Sequence, residues 1–225
     1  MTNPKPRVST GDCADGNYAI ERLKAGPANI PEVIANGGDK YSDPDWTGKD
    51  VLYKPGYPDS NTETLWGNNY DNGLWTYERW TNVDKFSSAT LFNADTTEYI
   101  EPRQGGAGTC YLISALASAA EFPSLITDMF LTGTDMSGPE AGIIGVRFYI
   151  RGKPWVVSID DKLCWYTSYG EKYLKFNQPD DNDSVMWASI LEKAWAKVKG
   201  NYEASEGGFV VSGLRAITGA PVFHY

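Results

Sequence analysis

From Ser184 to Lys199 the apolar residues Met186, Trp187, Ile190, Leu191, Ala194, Trp195 and Val198 recur at spacings of three and four, which predicts an amphipathic helix. Asp183 or Ser184 can cap its start, and Gly200 can stop it. A second helical run, Cys110 to about Glu121, is almost entirely apolar and predicts a buried helix with Cys110 at its start. Two β-rich runs, Ile143 to Ile150 and Trp155 to Ile159, flank Arg151-Gly152-Lys153-Pro154 and read as a hairpin, with a third strand expected over Tyr173 to Phe176. Met136 to Pro139 breaks the chain before the hairpin. Tyr41 to about Phe92 lacks helical periodicity and is rich in Trp, Tyr, Asn, Asp and Gly, so loops, short strands and aromatic anchors on a neighbouring core are expected. Residues 1–38 are punctuated by Pro and Gly, with one short candidate helix from Tyr18 to Leu23, and read as an N-terminal extension rather than a separate domain.

Composition narrows the possibilities. Apolar residues make up 41% of the 225 and aromatics 13%, enough packable surface for a folded core and too much for a disordered chain. Twenty Lys+Arg against 29 Asp+Glu leave a net charge of −9 with no basic run, which argues against a nucleic-acid partner. No stretch approaches 18 uninterrupted apolar residues, and the opening MTNPKPRVST lacks the apolar core of an export signal, so a soluble cytoplasmic protein without a membrane span is expected. Cys13, Cys110 and Cys164 are odd in number and far apart, fitting neither a disulfide framework nor paired zinc spacing. The 8 Trp and 14 Tyr raise carbohydrate binding as an alternative, but those in the Ser184 to Lys199 run sit at core spacing.

Cys110 is the first candidate for chemistry. A cysteine in the first turn of a buried helix lies at the positive end of the macrodipole beside unpaired backbone N–H groups, and both favour thiolate. The dipole contributes roughly 0.3 to 1 kcal/mol, so full activation needs a cationic partner such as a protonated histidine. Taken by position alone, Cys110 reads more readily as an ordinary small core residue than as a nucleophile, because free cysteine is among the most buried types. Gln104 stands six positions upstream across a glycine-dense turn. Folded back over the helix start, its amide and the Cys110 backbone N–H would make two donors of the kind that stabilise an oxyanion in acyl transfer.

The segment Gln104-Gly-Gly-Ala-Gly-Thr-Cys110-Tyr-Leu resembles the active-site segment of calpains, the calcium-dependent papain-like cysteine proteases. Three further segments are similar to that family in the same order. Val157-Ser-Ile-Asp-Asp-Lys-Leu163 looks like the end of the calpain hairpin, and Trp187-Ala-Ser-Ile-Leu-Glu-Lys-Ala-Trp195 through Ala204 looks like the following helix and turn. Gly207-Gly208 and Thr218-Gly219 continue the likeness, while Asp43-Pro-Asp-Trp46 and Trp80 with Leu91-Phe92 echo the start of the protease core more weakly.

This resemblance implies an α+β, papain-like cysteine protease fold, of which residues 39–225 would be the first, nucleophile-bearing lobe. Cys110 would be the nucleophile and Gln104 an oxyanion donor, and Gly207-Gly208 would offer backbone to an extended peptide substrate. A thiol protease also needs a base and a group that orients it. The only histidine, His224, has no Asn after it and falls where the family leaves its first lobe. The base and its Asn are therefore expected on a second lobe that lies elsewhere in the same gene product, lies on a partner chain or has been lost, and this chain alone is expected to be inactive. A non-catalytic calpain-like interaction module is the alternative. The family's calcium site implies Glu101 as one ligand, but Val185 stands where the second carboxylate is expected, leaving Asp180, Asp181 or Asp183 as substitutes. Thr109 stands where the family usually has Asp, and Tyr111 where it has Trp, which keeps an aromatic wall. The EF-hand-like run Asp43-Pro-Asp-Trp-Thr-Gly48 is rejected because Lys54 occupies the bidentate Glu position.

Overall fold

The computed structural model describes residues 27–44, 46–53, 66, 69–92, 102–131, 141–179 and 185–221. The helix expected near Tyr18, the break at Met136 to Pro139 and the caps Asp183 and Ser184 lie outside them.

Helices and antiparallel strands mix in this chain. In chain order the elements are α1 (Ile30–Asn36), α2 (Lys49–Leu52), β1 (Trp75–Arg79), α3 (Cys110–Ala120), α4 (Pro123–Thr127), β2 (Ile143–Ile150), β3 (Lys153–Asp160), β4 (Lys162–Ser168), β5 (Glu171–Leu174), α5 (Trp187–Lys199) and α6 (Val210–Thr218), with short 3-10 turns between some of them. β2 and β3 form the expected hairpin, from Ile143 opposite Asp160 to Ile150 opposite Lys153. Its turn is only Arg151 and Gly152, at φ 52° and 72°, the two successive positive values of a tight hairpin whose twist matches its strands. A second sheet has the order β1-β4-β5. The sequence reading missed β4 as a separate strand and placed β5 two residues late. Trp165 and Leu163 alternate inward there, but the apolar run was too short to separate from its neighbours.

Helix α3 is buried as expected, with Ser114 and Ser118, one turn apart, as its exposed positions along with Cys110. One main core joins α3, the β2–β3 hairpin, α5 and α6, including Leu112, Leu116, Ile144, Phe148, Ile190, Trp195 and Ile217. A smaller aromatic core holds Trp46, Trp66, Trp75, Phe176 and Tyr202, with Phe176 stacked on Tyr202 at 3.6 Å between centroids. Of the eight tryptophans, seven are buried and Trp155 is half-buried, so the aromatic wealth is used for packing.

The expected start of α5 changes. The helix starts at Trp187, not Ser184, because the preceding backbone is drawn into pairing: Met186 N–H donates to the Thr90 carbonyl at 2.9 Å and Trp187 N–H to that of Leu91 at 3.1 Å. Part of its polar face is buried as well. Glu192 and Lys193 are 1% and 0% exposed, so α5 lies between the two cores and buries its charges on both sides. Lys193 Nζ is held by Asp160 Oδ1 and by the carbonyls of Asp160 and Lys162, the latter two at 2.7 Å. Burial pushes the Asp160 carboxyl up, but the Lys193 ammonium and N–H donors from Asp43 and Lys162 more than offset that and hold it below its ordinary value.

Candidate active site

Cys110 is the first residue of α3, and its side chain is exposed, not a core residue. Thr109 precedes it as the N-cap position without capping through its side chain; its carbonyl accepts from Leu112 N–H at 2.9 Å and Ile113 N–H at 3.0 Å. The first turn is thereby closed by backbone, as helix starts require.

The glycine-dense turn lies along the segment just after β5. Arg103 and Gln178 exchange backbone hydrogen bonds at 3.0 and 2.9 Å, and Gly106 N–H donates to the Lys175 carbonyl at 2.8 Å. Glycine is needed for this approach: a Cβ on Gly105 would sit 2.0 Å from the Phe176 carbonyl oxygen. Gln104 is exposed, and its Nε2 donates to the Ala107 carbonyl at 2.8 Å, so the amide folds back over its own turn. An amide nitrogen carries two N–H donors, and this bond uses one.

Gly207-Gly208 meets the same turn from the other side. Gly207 N–H donates to the Gly108 carbonyl at 2.9 Å, and Gly108 N–H donates to Glu206 Oε1 at 3.0 Å. Gly208 lies so close to Tyr111 that a Cβ there would be 2.7 Å from the ring. Tyr111 is thus a buried wall beneath the glycine pair, its hydroxyl donating to the Ser205 carbonyl at 2.9 Å and accepting from Trp195 Nε1 at 2.7 Å. The structure therefore brings Gln104, Cys110, Gly207 and Gly208 to one short stretch of surface, the two ends of which are tied by Gly108.

Sequence reasoning missed Glu192. Its Oε1 accepts from Thr109 Oγ1 and its Oε2 from Asn177 N–H at 2.7 Å, directly behind the cysteine. Burial raises its carboxyl to about 7, and the Thr109 and Asn177 bonds only partly oppose that. Glu192 stands beside Lys193 on a helix found through its apolar periodicity, and nothing in that periodicity marks the carboxyl as buried. Cys164, the other described cysteine, is buried in β4, and burial pushes its thiol well up.

Of the positions named for calcium, only Val185 is among the described residues. Val185 is 4% exposed, an apolar core residue with no side-chain oxygen, and among the described residues no three or more His, Cys, Asp or Glu are grouped to hold a metal. Glu101, Asp180, Asp181, Asp183 and His224 lie outside the described residues.

Fold and site together define a mixed helix-and-sheet protein that presents a cysteine thiol at the exposed start of a buried helix. Residues 59–225 match the sequence family described as calpain family cysteine protease, and the chain belongs to that family. It is 28% identical over 166 residues to calpain-B of Drosophila melanogaster, a match covering 73% of this chain and 17% of that protein. It is 38% identical over 119 residues to the calpain-type cysteine protease DEK1 of Zea mays, covering 52% of this chain and 5% of that protein. Human calpain-8 is 38% identical over 117 residues, with 52% of this chain and 16% of that protein covered. The chain thus spans less than a fifth of the length of these relatives. Among the described residues no helix is long and apolar enough to cross a membrane.

Proposed function

We propose that this chain is the nucleophile-bearing lobe of a papain-like, calpain-type cysteine endopeptidase, with residues 39–225 as that lobe and residues 1–38 as an extension. The observation that carries this reading is the exposed Cys110 at the first position of α3, flanked by the turn bearing Gln104 and by Gly207-Gly208. In the reaction, the Cys110 sulfur attacks the carbonyl carbon of an extended peptide, forming the C–S bond. The carbonyl π pair moves onto oxygen, where the second N–H of Gln104 and the Cys110 backbone N–H receive it. The C–N bond then breaks as the amine leaves with a proton, and water releases the acid. The peptide pairs with Gly208 and with the Gly207 carbonyl, since Gly207 N–H is committed to Gly108.

The proton acceptor and its orienting group come from a second lobe bearing His and Asn, so the chain by itself binds but does not turn over. The second reading, a calpain-like module kept for protein interaction, draws on Thr109 and Val185, which stand where the family's acidic residues are expected. A fluorogenic-peptide assay on this chain tests the proposal: no turnover is expected without added protein, whereas turnover abolished by Cys110→Ala would overturn the divided-site account.

A further inference from the structure

Glu192 is a buried carboxyl paired with no lysine or arginine among the described residues, which is an expensive placement for stability alone. Its two oxygens face opposite ways across a seam. Oε1 takes the Thr109 hydroxyl, on the residue before Cys110, and Oε2 takes the N–H of Asn177, at 2.7 Å. That seam is where the Gly-rich turn runs along residues 175–178, joined by the Arg103–Gln178 pair and the Gly106–Lys175 bond.

We propose that Glu192 is a positioning residue: its carboxyl clamps the turn carrying Gln104 and Cys110 against the segment 175–178, and its protonation state sets how firmly that turn is held. The inference rests on the lobe reading above only in making this turn matter for catalysis. Ser189 on α5, Cys164 on β4, Tyr202 beyond α5 and Asn177 line the same small gap as Glu192, and the buried Nδ2 of Asn177 has no hydrogen-bond partner among the described residues. Lys193, the neighbour of Glu192, is bonded to Asp160 instead, and Glu206 reaches the turn through Gly108.

Its direction follows from linkage. With the turn closed, burial holds the Glu192 proton up to about pH 7, whereas opening the seam admits water and returns the carboxyl toward its ordinary 4.5. The closed form binds the proton more tightly, so closure weakens as pH rises between these values and changes no further above them. The opening equilibrium grows by at most about tenfold per pH unit in that window.

Residue-resolved amide hydrogen exchange on this chain, by NMR from about pH 5 to 8.5 and corrected for intrinsic rates, tests the clamp. Gly106 and Asn177 are the reporters. Gly108 is set aside because its acceptor is a second carboxyl, Glu206. Protection of both reporters is expected to fall by about tenfold or more between about pH 5 and 7 and then level off, while Glu192→Gln holds it flat. Both reporters should also exchange faster than Leu116 and Leu191 inside α3 and α5, marking local opening and not global unfolding. Protection that is independent of pH in the unaltered chain, a fall that persists in Glu192→Gln, or reporters that exchange only with the helix interiors would overturn the proposal. If Glu192→Gln does not fold, Thr109→Val removes the other end of the clamp and should lower Gly106 protection several-fold at acid pH; unchanged protection there would equally overturn it. The readout involves no Cys110 chemistry, so failure of the clamp and failure of the protease reading are separate results.

Discussion

Gly105 and Gly208 show how much of the site depends on missing atoms. A methyl at Gly105 would meet a backbone oxygen at 2.0 Å and one at Gly208 would meet the Tyr111 ring at 2.7 Å, so neither neighbour can simply rotate away. Gly208→Ala should lower stability by about 1–3 kcal/mol in urea unfolding. Gly105→Ala should cost at least as much and should also detach the turn from Lys175, visible as lost exchange protection at Gly106. Cys110 and the glycines could be picked out because they form local strings with fixed spacing, and the structure adds that Gly207 and Gly208 meet the turn that precedes Cys110. Glu192 was not legible. Its role depends on Thr109 and Asn177, 83 and 15 residues away in the chain, and no periodicity encodes such a contact. The acidic residues implied for calcium show the converse, since one of that pair is replaced by Val185, and burial of Val185 shows a position given over to packing.

Among the elements, α5 carries the most weight. Trp195 is fully buried, packs edge-on to Phe148 at 5.3 Å and donates to the Tyr111 hydroxyl. Trp195→Ala should destabilise the chain by about 3–5 kcal/mol, measured by denaturant midpoint. Lys193→Met should cost a similar amount, about 3–5 kcal/mol, because it leaves the Asp160 carboxylate and two carbonyls buried without their donor. A loss under about 1 kcal/mol would show that water replaces the ammonium. The periodicity that revealed α5 rested on its apolar residues, so the helix was found while the burial of Glu192 and Lys193 was not. Strands β4 and β5 and helices α1, α2 and α6 were blurred for a different reason. They are short, and α6 is punctuated by Gly213, which fits against Ala115 Cβ and is required by packing instead of by helix propensity.

For the whole molecule, the pH dependence of stability has a definite sign. Glu192 is raised by burial from 4.5 to about 7, so between these values the folded chain retains a proton that the unfolded chain has lost. Stability therefore falls as pH rises through that window, by up to about 3 kcal/mol, and Glu192→Gln should remove this component. Asp161, also raised by burial, adds the same sign starting from lower pH, while Asp160, held low, opposes it only in acid. Family membership places these properties in a cysteine-protease lineage, and the chain covers a minor part of its relatives. The central claim, a nucleophile and oxyanion donors that await a proton acceptor from a second lobe, is tested most directly by labelling Cys110 with a peptidyl chloromethyl ketone. The measurement is the labelling rate of the Cys110 peptide by mass spectrometry, with and without a His- and Asn-bearing calpain lobe fused after Tyr225. The account predicts slow labelling alone, at least about a hundredfold acceleration with the lobe, as expected for general-base activation, and loss of most of that acceleration in Gln104→Ala. Equal rates with and without the lobe would contradict it and leave the interaction module as the better description.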